Sequence, residues 1–331
     1  MKKILMIATG GTIACVQTDS GLVPGLSGEE LFSYVPEAAG LCQLDTIDLF
    51  DVDSTNVTPQ HWLAIARAIA DAFDRYDGFL VTHGTDTLAY TAAGLSYLVQ
   101  GSPKPIVVTG AQLPINSTFT DAKRNLYDSL LYAVDDGSRD VCVVFGGMVI
   151  AGTRANKRRT ASANAFESVN FPCLAMLRRG RVLATGILPG ETEGPLRMYD
   201  HLNTRVQVLK LVPGMDPAVM ASLAPHCDAL IVEGFGLGGI PSTPEYRKAV
   251  FDWLDSGRIM VAASQTFEEG FDMSIYEVGR AYVEHGGMLM SGDMTCEAMV
   301  AKLMWALGQS QDITEVERLF LRPVNHDRLM A

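Results

Sequence analysis

Cysteine is scarce in this chain, with six among 331 residues (Cys15, Cys42, Cys142, Cys173, Cys227 and Cys296). None forms a C-x-x-C pair or sits in a Cys/His cluster, which argues against a disulfide framework or a bound metal. Reduced, mostly buried thiols in a cytoplasmic protein are expected instead. Positive charge is also short: 26 Lys and Arg stand against 38 Asp and Glu, for a formal net charge of -12. Nucleic-acid binding depends on neutralising phosphates, so no general nucleic-acid partner is expected. The one basic cluster, Lys157-Arg158-Arg159 with Arg154 nearby, is too short to change that. No apolar run approaches the ~20 residues of a membrane span, so no membrane partner is expected either. Met1-Lys2-Lys3 and the apolar residues 4–8 superficially resemble a signal peptide. The run is too short and glycines follow at once, so it reads as a first strand. There is no low-complexity tract, and the 48% hydrophobic content argues against disorder.

What is present is a rhythm of short apolar strands and helical patterns. Strands are expected at residues 4–9, 44–51, 78–82, 105–109 and 141–145. Helices are expected at 28–35, 59–74, 91–100 and 121–134, with Thr58 as N-cap and Pro59 in the first turn of the second. Such alternation implies a parallel sheet covered on both faces. Residues 176–182 read as a hairpin. Residues 189–204, with Pro, Gly and Glu and little periodicity, read as a linker. A second unit then carries strands at 206–211, 229–233 and 259–264, helices near 217–223 and 244–256, and a last helix at about 295–307. The expected architecture is α/β: a larger N-terminal domain (1–188) with a doubly wound, mostly parallel sheet, and a smaller C-terminal α/β domain (205–331).

Two glycine-bearing turns follow buried-strand patterns, where open α/β sheets keep their chemistry. The first is Thr9-Gly10-Gly11-Thr12, and the second Thr82-His83-Gly84-Thr85-Asp86-Thr87. A hydroxyl is a poor nucleophile until a base takes its proton, and a threonine beside a lysine and a carboxylate supplies one. Thr12, Thr85, Asp86 and Lys157 thus point to a threonine-dependent hydrolase. Alternatives stay open at this level: a plain turn or phosphate-cradling loop for the first segment, and N-capping for Thr85, Asp86 or Thr87. His83 reads as a packed histidine rather than a catalyst.

Together, Thr9-Gly10-Gly11-Thr12-Ile13-Ala14 and Thr82-His83-Gly84-Thr85-Asp86-Thr87 closely resemble the two signature segments of bacterial-type L-asparaginases. The likeness spans essentially the whole chain. It includes Asp53-Ser54-Thr55-Asn56, Thr109-Gly110-Ala111-Gln112, the Lys157 segment and Asp293-Met294-Thr295-Cys296-Glu297-Ala298, and its details are most like the cytoplasmic (type I) branch. The resemblance implies that Thr12 attacks the side-chain amide of L-asparagine, forming an acyl-threonine ester and releasing ammonia, and that water then frees aspartate. Thr85, Lys157 and Asp86 would form a second polar triad, with the Lys157 amine accepting the Thr85 proton. Desolvation or nearby cations such as Arg158 and Arg159 would favour that amine. Gly11, Asp53, Ser54, Thr55, Gly84, Thr85, Asp86 and Ala111 are implied to line the substrate. Ser54 would hold the α-carboxylate, Asp86 the α-ammonium, and the Ala111 carbonyl the leaving amide. No metal or cofactor is implied, and a homodimer or homotetramer is.

Three departures from the family pattern stand out. Many relatives carry an activating tyrosine in the loop after the first glycines, whereas this one reads Asp19-Ser20-Gly21-Leu22-Val23-Pro24. Tyr276 matches the place of a second-domain tyrosine used by other members and is assigned that role. Thr55 stands where periplasmic relatives have glutamine, and a lost hydrogen bond to a charged group costs roughly 1.5–3 kcal/mol. Phe267 replaces a cysteine of an allosteric asparagine site. Gly234-Phe235-Gly236-Leu237-Gly238-Gly239 matches a dinucleotide fingerprint literally, but Pro241 and Pro244 delay the helix such a site needs. Competing readings are a glutaminase-asparaginase, an ammonia-releasing component of a tRNA-dependent amidotransferase, and a silent amino-acid sensor. Amidotransferase components of this type carry extra sequence before the first strand, whereas here Met1-Lys2-Lys3 runs straight into it.

Overall fold

A computed structural model describes residues 1–18, 21–186 and 195–329. The chain packs as two compact units, Met1–Asp200 with Val324–His326, and His201–Pro323 with Asp327–Ala331.

In the first unit, five parallel strands run side by side: Gln43–Asp48, Lys3–Ala8, Gly78–Thr82, Pro105–Thr109 and Asp140–Phe145. Met148–Ala151, Ala175–Arg178 and Arg181–Ala184 extend the sheet antiparallel to eight strands. The central strands are apolar on both faces because helices cover both, and every residue of Gly78–Thr82, Pro105–Thr109 and Asp140–Phe145 is buried. Ile4, Met6, Leu80, Val107 and Val144 meet Leu126 and Leu130 of the helix Ala122–Ala133 in one cluster. Each such aliphatic side chain contributes roughly 1.5–3 kcal/mol by leaving water. By chain order the five parallel strands lie 2-1-3-4-5. The connection out of Lys3–Ala8 therefore turns one way and the later ones turn the other. That reversal opens a crevice beyond the carboxyl ends of Lys3–Ala8 and Gly78–Thr82, where such sheets bind ligands.

Local chemistry sets the helix boundaries. Pro59 opens Pro59–Ala72, with Thr58 as N-cap and its N–H donating to His61 Nδ1 at 3.0 Å. The third helix begins at Leu88 rather than 91, with Thr87 in the N-cap position directly after the polar turn; the Thr87 hydroxyl makes no capping bond and turns to the Ser54 carbonyl instead. The edge strand ends at Asp48, three residues short of the expectation. Residues 187–194, including part of the expected linker, lie outside the described residues, as do 19 and 20 of the loop that lacks a tyrosine. Beyond them, Arg197–Met198 pairs as a short strand with Val99–Gln100. All six cysteines are unbridged. No described helix is long and apolar enough to cross a membrane.

The second unit is a four-stranded parallel sheet in sequential order: Val206–Lys210, Ala229–Gly234, Ile259–Ser264 and Met288–Met290. Thr295 caps Cys296–Gln309 through the Ala298 N–H at 3.1 Å. That helix is not the last: Ile313–Leu321 follows, capped by Asp312 and packed by Val316, Leu319 and Phe320. The helix Glu277–His285 and the strand after it also escape a periodicity reading, since both are short and half exposed.

Candidate active site

The two glycine turns leave neighbouring strands and are welded together. Thr9 donates twice to the Thr82 carbonyl, from its N–H at 3.2 Å and its Oγ1 at 2.7 Å. Gly11 has φ +81°, and a Cβ there would lie 2.3 Å from Gly84 N; one on Gly84 would lie 2.6 Å from Ser54 Oγ. Only glycines permit the two turns and the Ser54 side chain to meet so closely. Thr12 and Thr85, each one residue beyond its glycine, are carried to the same edge of the sheet. Thr12 opens a single 3-10 turn and is half-buried.

Thr85 is the hub of the polar groups. Lys157 Nζ donates to Thr85 Oγ1 at 2.8 Å and pairs with Asp86 Oδ1 at 2.6 Å. Thr85 Oγ1 in turn donates to Gln112 Oε1 at 3.3 Å. Gln112 is anchored because its Nε2 donates to the Arg159 carbonyl at 3.1 Å. The Lys157 side chain is only 18% exposed, whereas that of Asp86 is 55% exposed and open to a ligand. Arg158 and Arg159 turn toward Glu167, at 3.7 and 2.7 Å, so their charges are shared with a carboxylate rather than aimed at Lys157 alone.

The segment after the edge strand closes another side. Ser54 is buried and accepts the Asp86 N–H at 3.3 Å, while its carbonyl accepts the Thr87 hydroxyl at 2.7 Å. Thr55 bends back: its N–H and hydroxyl both donate to Asp53 Oδ1, at 2.8 and 2.7 Å. Those bonds hold the Asp53 carboxyl below its ordinary pKa. The Thr55 hydroxyl is therefore committed to Asp53 rather than to a ligand. Asp51, beside the Gly10 turn, is shifted the other way by burial and by Asp48.

His83 is fully buried, as expected of a packed residue. Its Nδ1 bonds the Gly84 carbonyl at 2.7 Å and its Nε2 meets the Thr91 hydroxyl at 2.9 Å, and burial lowers its pKa to about 4. A neutral ring with its proton on Nδ1 satisfies both contacts and fixes the turn's carbonyl. Ala111 is fully buried, between Gly110, whose carbonyl accepts Asn125 Nδ2 at 3.0 Å, and Gln112, whose N–H reaches Asp121. The part of Gln112 is what sequence reasoning missed; its only signal was a polar side chain just past the Gly-Ala at a strand end.

The first unit therefore gathers Gly11, Thr12, Asp53, Ser54, Thr55, Gly84, Thr85, Asp86, Ala111 and Lys157. Tyr276 is not among them. It belongs to the second unit, 61% exposed at the start of Glu277–His285, and lines a cavity of about 360 Å³ with Phe235, Leu237, Ile240 and Met273. The neighbouring glycine segment is a tight turn closed by paired bonds between Phe235 and Gly239. The next helix waits until Pro244, capped by Thr243, so the segment lacks the immediate helix start of a dinucleotide site.

Fold and site define an α/β protein that sets two threonine hydroxyls, an amine and a carboxylate at the switch point of a parallel sheet. Its sequence places it more narrowly. The family described as "Asparaginase, N-terminal" matches residues 3–186, and that described as "Glutaminase/Asparaginase C-terminal domain" matches residues 205–320; the chain belongs to the asparaginase family. It is 36% identical over 327 residues to an L-asparaginase of Thermococcus kodakarensis, covering 97% of this chain and 98% of that protein. It is also 34% identical to a glutamyl-tRNA(Gln) amidotransferase component of Metallosphaera sedula, covering 96% of this chain and 75% of that one. Among solved structures, the thermostable L-asparaginase from Thermococcus kodakarensis superposes with a TM-score of 0.92 at 35% identity, over 99% of this chain and 100% of that one. L-asparaginase I from Vibrio cholerae does so with 0.87 at 27% identity, over 99% of each chain.

Proposed function

We propose that the protein is a cytoplasmic L-asparaginase that hydrolyses L-asparagine to L-aspartate and ammonia through an ester on Thr12. The single observation that carries this reading is the Lys157–Thr85–Asp86 cluster on a turn welded to that of Thr12. Thr12 Oγ1 attacks the side-chain amide carbon as its proton passes by way of the Tyr276 phenol to the amide nitrogen, which leaves as ammonia. Backbone N–H groups of the two turns face the oxyanion; a donor of that kind is worth about 3 kcal/mol. Water then attacks the ester, giving a proton to Thr85 as Thr85's own proton turns from Gln112 to the Lys157 nitrogen, which accepts in this step where it donates in the resting site. Lys157 returns that proton to the Thr12 oxygen as its bond to the acyl carbon breaks, aspartate departs, and both threonine hydroxyls are restored. Tyr276 is assigned the activation of Thr12, and Ser54 and Asp86 the α-carboxylate and α-ammonium of the substrate. The assembly is a homodimer or homotetramer.

A glutamine-directed alternative has support from the amidotransferase components among the relatives. Ammonia release by the purified protein from L-asparagine and from L-glutamine separates the two. Release from asparagine at well above ten times the glutamine rate is expected; equal rates, or none, would contradict the proposal.

A further inference from the structure

Lys157 must be held within a few tenths of an ångström of Thr85, yet its own strand is weakly supported. Ala155–Lys157 is three residues long and, among the described residues, pairs only with Phe166–Ser168, outside the eight-stranded sheet. It departs from the sheet through the corner at residues 152–154. Gly152 packs there so tightly that a Cβ would lie 2.6 Å from Ser96 Oγ. The next two residues, Thr153 and Arg154, are completely buried.

Both reach backbone carbonyls of Val324–His326, near the far end of the chain but part of the same unit. Thr153 Oγ1 donates to the Asn325 carbonyl at 2.6 Å, and Arg154 Nε to the His326 carbonyl at 2.5 Å. Asn325 is itself fixed to the scaffold: its Nδ2 donates to Ser96 Oγ and to the Val141 carbonyl, each at 2.9 Å. Ser96 lies in Leu88–Leu98, the helix that starts directly after the Thr85-Asp86 turn, and Val141 lies in a central strand. His326 stacks on Phe171 with ring centroids 4.5 Å apart, and the Arg154 guanidinium lies 5.6 Å from the same ring. Asn325 and His326 have φ of +47° and +62°, a left-handed pair that β-carbon-bearing residues adopt only where contacts hold them.

We infer that Val324–His326 is a positioning strap for Lys157: it ties the corner from which the lysine strand departs to the helix that follows the Thr85 turn and to Asp140–Phe145, a strand of the same sheet two places from the one that leads into that turn. The strap is assigned a positioning role and no contact with the reacting groups. This rests on the asparaginase reading only in what Lys157 does, not in how Lys157 is held.

The test uses the full-length chain with Asn325→Ala, measuring steady-state hydrolysis of asparagine and the rate of Lys157 acetylation by acetic anhydride, read by peptide mass. The strap predicts kcat lower by ~10-fold with KM changed less than about twofold, and Lys157 acetylated ~3-fold faster relative to the other lysines. A merely structural role lowers the melting temperature and leaves kcat per folded molecule and Lys157 acetylation at wild-type values, and that result would overturn the inference. If Asn325→Ala does not fold, Thr153→Val removes one hydrogen bond at nearly constant volume and is held to the same split, at roughly threefold in kcat. Wild-type protein that releases no ammonia would defeat the asparaginase reading instead, and the acetylation rates would still decide the strap.

Discussion

Gly11 and Gly84 are in backbone contact, so close that a single β-carbon on Gly11 would sit 2.3 Å from the Gly84 nitrogen. The contact turns two turns from separate strands into one rigid floor and brings Thr12 and Thr85 to a common edge. Its worth is separable from that of a positive φ. Gly214 has the same φ of +81°, but a β-carbon there would meet nothing within 4 Å. Gly214→Ala is expected to cost only the left-handed strain, about 1 kcal/mol, and to leave turnover unchanged. Gly11→Ala adds the collision and is expected to lower kcat by at least ~100-fold, since a misplacement of 1 Å suffices for that. Equal behaviour of the two variants in chemical unfolding and in ammonia release would show that the weld is unimportant.

Two buried groups give the stability of the protein opposing responses to pH. His83 is held neutral, its pKa lowered from 6.5 to about 4 by burial. The unfolded chain binds that proton more readily, so this stabilisation is full above pH 6.5 and lost as the pH falls through 4. Over that window the loss is about 3 kcal/mol. Asp140 is raised from 3.8 to about 7, chiefly by burial and against the pull of Arg139 and a Ser102 backbone bond. The folded chain keeps that proton, so its stabilisation is full below 3.8 and lost as the pH rises through 7. Asp140 has φ +56°, which asparagine tolerates. Asp140→Asn is therefore expected to match the wild type near pH 4 and to exceed it by about 4 kcal/mol at pH 8. Urea unfolding at both values checks this; a constant difference across the range would refute the assignment.

Tyr276 is the one proposed catalytic group outside the first unit, and it is exposed. Tyr276→Phe removes only the phenolic oxygen and should preserve the fold. Loss of proton transfer to or from that oxygen is expected to lower kcat by ~100-fold. A variant that releases ammonia from asparagine at the wild-type rate would return the activation of Thr12 to another group.

Much of the site could be read before any fold was known, because its residues sit in short polar turns that interrupt unbroken apolar strands. Thr12, Thr85 and Asp86 were visible for that reason, and the covered parallel sheet followed from the same apolar runs. Lys157 was less legible: a lysine beside two arginines looks solvated, and its pairing with Thr85 was specified by the family resemblance. Its partners Thr85 and Asp86 are distant in the chain, which no local pattern encodes. The corner of Gly152, Thr153 and Arg154 and its partners Asn325 and His326 were invisible for the same reason. The helix Ile313–Leu321 went unnoticed because it is short and follows a longer, more apolar one. Thr55 was expected to line the substrate and was flagged as a departure from the family pattern, and its hydroxyl is engaged by its neighbour Asp53.

The central claim is that one threonine carries the acyl group while the other, through Lys157, activates water. In Lys157→Met the second step loses its proton acceptor, by ~1000-fold on the scale of general-base catalysis, so the ester should accumulate. Acid-quenched Lys157→Met, incubated with asparagine and digested, is predicted to carry an aspartyl mass increment on the peptide containing Thr12. The same increment on the peptide containing Thr85, or none on either while the variant still releases ammonia, would contradict the account.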